Sequence, residues 1–342
     1  MRSSRFTVVV VVLGLLTAGC GSGSPSSAGQ TTPAESTTSA ADAFPVTIDH
    51  VYGQSVIESE PTRVLTLGLS DQDAVLALGV TPIAVSQWYG DYESATWPWA
   101  QPKLGEPKPV VLNGGVRNEE EPRLEEIVTL DPDVIISLYN GTTQEQYDQL
   151  SKIAPVVLPT KEFADYAISW QEGLRVTGEA LGKSEQAGTL TEELDARFAA
   201  AAADNPQFAG VQTVIAERFE PGATVVRAST DPRGRFFEAL GFQVPADLNA
   251  AANEYGEAEI SDEQMDQLDR DLLVWNIGSD PELRTEIEAL PLYPGLEVVQ
   301  QDDVLFIEDP IISGAFTWST VLSLDYALTQ LLPQLQQKVP AA

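Results

Sequence analysis

Side chains able to do covalent or acid–base chemistry are scarce in this chain of 342 residues, which has one cysteine, Cys20, and one histidine, His50. A lone thiol excludes an intrachain disulfide and a thiolate metal cluster. A lone imidazole, close behind a flexible segment, leaves no basis for a multi-histidine metal site, a Ser/His/Asp triad or histidine acid–base catalysis. The 51 acidic residues could pair as in a glycosidase almost anywhere, so they select no site; most solvate the surface, and a carboxylate-dependent hydrolase is the weakest reading. No glycine-rich loop follows a strand, and Asn113-Gly114-Gly115 is a turn signal. The remaining chemistry is recognition. Trp88, Tyr89, Tyr139, Trp275, Phe316 and Trp318 offer large contact area, most with a polar tip, and Gln87, Asn140 and Asn276 offer amides. Such groups suit a bulky ligand with an organic periphery.

These residues fall at the ends of predicted strands. Arg63–Leu67, Thr81–Val85, Val134–Leu138, Gln212–Ala216, Ala223–Val226, Leu272–Trp275 and Val304–Ile307 read as strands. Asp71–Leu78, a segment opening at Glu121-Pro122, Arg235–Leu240 and a segment opening at Ile260-Ser261-Asp262 read as helices. Alternation of this kind predicts an α/β protein with a parallel sheet and helical crossovers, built twice, hence two Rossmann-like lobes. Between them a helix of about 20 residues, capped by Ser184 and running to Ala203, spans some 30 Å, enough to link one lobe (44–183) to the other (204–342) with limited hinge motion. Ligands of parallel α/β sheets bind beyond the carboxyl ends of strands. That rule selects Trp88, Tyr139, Asn140, Arg227, Trp275 and Trp318 as candidates to line a ligand site.

The N-terminus directs the chain elsewhere. Arg2 and Arg5 precede an apolar run from Phe6 to Leu16, about half the ~20 residues needed to span a bilayer, so residues 1–19 read as a cleaved signal peptide. Leu16-Thr17-Ala18-Gly19-Cys20 resembles a bacterial lipobox, with Thr17 where leucine is usual, and makes Cys20 the lipidated residue. Residues 20–43, rich in Ser, Thr, Gly and Pro, form a flexible linker. Loss of Arg2 and Arg5 takes the formal charge from −32 to −34, a poor match to nucleic acid or an anionic membrane surface.

Arg63–Val85 (RVLTLGLSDQDAVLALGVTPIAV), Glu121–Ile136 (EPRLEEIVTLDPDVII), Ser151–Pro155 (SKIAP) and Ile311–Leu328 (IISGAFTWSTVLSLDYAL), in this order and spacing, resemble the substrate-binding lipoproteins of ferric-siderophore and cobalamin ABC importers, on the siderophore side. The resemblance implies two lobes joined by one long helix, with a ferric siderophore held in the cleft as ligand, no cofactor and no protein ligand to the iron. It also implies a monomer outside the cytoplasmic membrane, held by its lipid alone and serving an ABC permease. Haem or cobalamin is the alternative ligand. By that resemblance Arg117 and Tyr139 contact the ligand, with Arg227 and Arg218 as further candidates, since a guanidinium can donate several hydrogen bonds to a chelate's oxygens. Glu125 and Glu263, one per lobe, match the family's permease-docking glutamates. The strong negative charge disfavours a highly anionic tris-catecholate and points to hydroxamate or mixed chelators.

Overall fold

The structure, a computed structural model, describes residues 44–112, 124–278, 280 and 282–341. An antiparallel hairpin of β1 (Val46–His50) and β2 (Gly53–Ile57) comes first. The first lobe is built on β3 (Val64–Thr66), β4 (Ala84–Ser86), β5 (Val110–Leu112), β6 (Val134–Ile136) and β7 (Val156–Val157). Their order is β5-β4-β3-β6-β7 and every pair is parallel. Its helices include α1 (Gln72–Ala77), α2 (Leu124–Leu130), α3 (Gln144–Leu150) and α4 (Trp170–Ala180), after which α5 (Ser184–Asp204) leaves for the second lobe. There β8 (Thr213–Glu220), β9 (Ala223–Arg227), β10 (Glu257–Ser261), β11 (Leu272–Asn276) and β12 (Val304–Ile307) stand in the order β10-β9-β8-β11-β12. The helices α6 (Pro232–Ala239), α7 (Ala246–Ala251), α8 (Leu283–Glu288), α9 (Glu297–Gln300), α10 (Pro310–Trp318) and α11 (Val321–Lys338) complete it.

Side chains that alternate along a strand serve two layers. In the first sheet Val64, Val134 and Ile136 face a core shared with the second lobe, while Leu65 and Ile135 face the outer layer of Ile127 and Leu150. In the second, Leu272 and Val274 join the shared core, and Leu273 and Trp275 join an outer layer with Ile287 and Tyr293. The shared core runs on through Leu194 and Phe198 of α5, Phe236 and Phe237 of α6, and Leu328 and Leu331 of α11. A continuous apolar core through both lobes resists their separation.

Four features depart from the sequence reading. The second sheet is mixed, because β8, β9 and β10 pair antiparallel while β8, β11 and β12 pair parallel. Its cause is Pro221-Gly222, where Gly222 has φ +95°: two residues can close a hairpin but cannot make a crossover. Ile260 and Ser261 end strand β10, and a 3₁₀ turn over Asp262–Leu268 stands where a helix was expected. The cap of α5 is Lys183, since Ser184 is already helical. Finally, α11 packs against α1 and α4 as well as α10 and β12, so the last helix belongs to both lobes.

Candidate functional site

The carboxyl ends of β4 and β6 carry Trp88 and Tyr139 into a run of touching rings. Trp88 stacks on Trp318 of α10 at 5.9 Å and lies 5.9 Å from Tyr139 and 5.0 Å from Tyr89. Trp97 joins Tyr89, Tyr92 and Trp318, stacks on Trp99 at 4.8 Å, and Trp99 reaches Trp318 and Tyr326. Tyr166 closes the far side against Tyr139 at 5.9 Å. The cluster thus joins the first lobe to α10 and α11. Beside it, a cavity of about 40 Å³ lined by Asp71, Tyr139, Trp170, Pro232 and Trp318 is about the space of one water molecule. A drug-sized or larger ligand needs roughly 300 Å³ or more, so this cavity as it stands is too small to hold one.

Two buried carboxylates position this aromatic wall. Asp71 accepts from the amides of Leu138 and Tyr139 at 2.8 and 3.0 Å and so fixes the loop that carries Tyr139. A side chain at Gly68 would place its Cβ 2.0 Å from that carboxylate, so glycine is needed there. Asp73 accepts from the Trp99 indole at 2.8 Å and from the Thr320 hydroxyl at 2.6 Å, linking α1 to the cap of α11. Burial pushes both carboxyls up to about 6, against the hydrogen bonds they accept. Across the seam, Gly314 of α10 lies where a Cβ would meet the Trp97 ring at 2.3 Å.

Below the rings the second lobe supplies an ionic floor. Glu217 of β8 takes a hydrogen bond from Arg227 of β9 at 2.6 Å, from Arg233 of α6 at 3.0 Å and from the Asn276 amide at 2.6 Å. Arg233 also pairs with Asp231, the cap of α6, at 2.7 Å, and Arg227 with Glu257. Ser313 and Thr317 of α10 bond Asn276 at 2.6 and 3.0 Å, and Tyr89 of the first lobe is hydrogen-bonded to Thr317. Burial opposes ionisation of Glu217, but the two guanidiniums and the amide outweigh it and hold the carboxyl below its ordinary range. Tyr139 faces this floor, and burial pushes its phenol up to about 12.

The family model described as periplasmic binding protein matches residues 64–310, from the first strand of one sheet to the helix that carries Trp318. The chain belongs to the periplasmic binding protein family. It is 33% identical over 206 residues to a probable siderophore-binding lipoprotein of Bacillus subtilis, a match spanning 58% of this chain and 57% of that protein. Among solved structures it is similar to a periplasmic solute binding protein from Mycobacterium smegmatis, with 30% identity and a TM-score of 0.76 over 86% of this chain and 98% of the other. An iron uptake ABC transporter substrate-binding protein from Streptococcus pneumoniae follows at 25% identity and TM-score 0.70, covering 87% and 100%. All three are described as binding proteins.

Within this binding protein the structure redistributes the candidate residues. Trp88, Tyr139 and Trp318 come together. Trp275 does not: it is 0% exposed in the outer core, because strand alternation turns Asn276, its neighbour, toward the floor. Asn140 is buried, its amide donating to Ser137 at 2.9 Å and accepting from Gly141, so it shapes its own loop. Arg227 was placed at a carboxyl end, but β9 runs antiparallel to β8 and the guanidinium is closed in by Glu217 and Glu257. Arg218 is paired with Asp262 at 2.6 and 3.0 Å. Arg117 and Cys20 lie outside the described residues. Glu125 at the start of α2 and Glu263 in the 3₁₀ turn are both exposed.

Sequence reasoning missed Tyr92, Trp97, Trp99, Tyr166, Glu217 and Arg233. A signal for the first three was present: Trp88–Trp99 holds five aromatic residues in twelve positions, against 8% for the chain. No local signal marks Glu217 or Arg233, whose meaning is set by strands and helices far apart in sequence.

Proposed function

We propose that this chain is an extracytoplasmic lipoprotein, anchored through Cys20, that captures a ferric siderophore between its lobes and delivers it to an ABC import permease. The observation that carries the reading is the aromatic cluster in which Trp88 and Tyr139, beyond the carboxyl ends of β4 and β6, meet Trp318 at the end of α10 and so join both lobes, in a member of a binding-protein family. Likeness to a siderophore-binding lipoprotein and to an iron-uptake binding protein supports the ligand class. Among the described residues no group of three or more His, Cys, Asp or Glu side chains could hold a metal ion.

The two guanidiniums of the floor meet three carboxylates, those of Glu217, Asp231 and Glu257. The floor therefore offers no net positive charge to an anionic ligand and favours a chelate of low charge, such as a ferric hydroxamate or mixed siderophore. Glu125 and Glu263 dock the permease, and the Arg218–Asp262 pair holds the turn that presents Glu263. Because four of the six tryptophans lie in the cluster, binding is read by intrinsic fluorescence. Titration with ferric siderophores should quench it saturably; silence toward all of them, with saturable binding of haem or cobalamin, would overturn the ligand assignment.

A further inference from the structure

Among the described residues, the most exposed large apolar side chain is unexplained by folding. Phe219 is 72% exposed, against 43–57% for the other exposed large apolar residues. It stands on the part of β8 that outruns its parallel neighbour: Ala216 is level with Trp275 and β11 ends at Asn276, so Arg218, Phe219 and Glu220 run past the carboxyl end of β11 while β9 flanks them on the other side. Between Glu217 and Glu220 the pairing with β9 shifts register, and such irregularities re-aim side chains beside binding sites. Here the ring is turned back over the Arg227 guanidinium, 5.8 Å from its centre. The other side of that guanidinium is bound to Glu217, the floor that Tyr139 faces. Phe219, Arg227 and Glu217 therefore form one wall running from solvent down to the aromatic cluster.

We propose that Phe219 is the second lobe's rim of the ligand site, packing on the apolar periphery of the bound chelate and selecting chelators that have one. The inference rests on the cleft being the siderophore site. An exposed ring adds little to stability, whereas a ring withdrawn from water by a ligand adds affinity in proportion to the area covered. Guanidinium contact holds it upright over the opening.

The test titrates wild type, Phe219→Ala and Phe219→Trp with ferrioxamine B, whose pentamethylene arms are apolar, and with ferric citrate, which has none. Phe219→Ala should bind ferrioxamine B roughly tenfold more weakly, as expected for about 50 Å² of apolar surface left in water. Phe219→Trp should keep the affinity, and all three proteins should share one urea midpoint. Equal affinity of Phe219→Ala and wild type overturns the inference and leaves the proposed function standing, whereas wild-type binding confined to ferric citrate overturns both the inference and the preference for a chelate of low charge. Unchanged affinity with reduced cellular uptake would place Phe219 against the permease and also overturn it. A wild-type protein that binds no ferric chelate fails the functional reading itself, before any variant is compared.

Discussion

Asp71 and Asp73 sit two positions apart and do different work, one fixing the backbone before Tyr139, the other tying Trp99 to Thr320. Each is buried with no cationic partner among the described residues, and burial pushes each carboxyl up to about 6 in the fold against about 3.9 in an unfolded chain. A carboxyl whose folded pKa is raised favours the fold when protonated. That contribution is full below about pH 4 and is lost as pH rises through 6. Acidification from pH 7.5 to 5 should therefore stabilise the protein by about 1 kcal/mol for each of the two. Asp73→Asn, which cannot ionise, should lose its share of that slope in urea melts at the two pH values; an unchanged slope would show that Asp73 is not titrating there. The importance of these acids was not legible in a chain with 51 acidic residues, because burial singles them out and burial is tertiary.

At the scale of elements, start signals were local, yet the sequence reading began its helix at Arg235, three residues late, and named no helix start at Asp309-Pro310. Asp231-Pro232 and Asp309-Pro310 open α6 and α10 with a capping carboxylate and proline in the first turn, since proline lacks the amide that the first turn leaves unbonded. The 3₁₀ turn after Ser261 was misread because Asp262 and Glu263 look like a helix start while the preceding residues pair in β10. The seam between α10 and the aromatic loop gives the element-scale prediction. Gly314→Ala gains helix propensity but drives a Cβ to 2.3 Å from Trp97, a ring 2% exposed and stacked on Trp99. Overpacking should win and cost about 1–3 kcal/mol. Urea unfolding with a changed tryptophan emission checks it; a variant as stable as wild type would mean that the loop yields.

For the whole molecule, the shared core through α5 and α11 ties the lobes together. Exposed Glu125 and Glu263 lie outside the aromatic cluster. Glu125→Ala and Glu263→Ala should leave affinity for a ferric siderophore unchanged and reduce cellular uptake several-fold, and Cys20→Ala should behave likewise by abolishing the tether's effective concentration. Loss of ligand binding in the glutamate variants would contradict their assignment.

Residue order alone settled the features that depend on neighbours in the chain: the alternation of strands and helices, two lobes with a long connecting helix, and aromatic residues just after the strands β4 and β6. Those follow from periodicity, capping and composition, which act over a few residues. Tertiary structure decided which of the aromatic residues face one another, turning Trp275 inward and bringing Trp97 and Trp99 to Trp318. It also decided that Arg218 and Arg227 answer to acids of their own lobe. Strand direction at Pro221-Gly222, the side a side chain faces and the partner it meets are set by segments tens to hundreds of residues apart, and no local pattern carries that information.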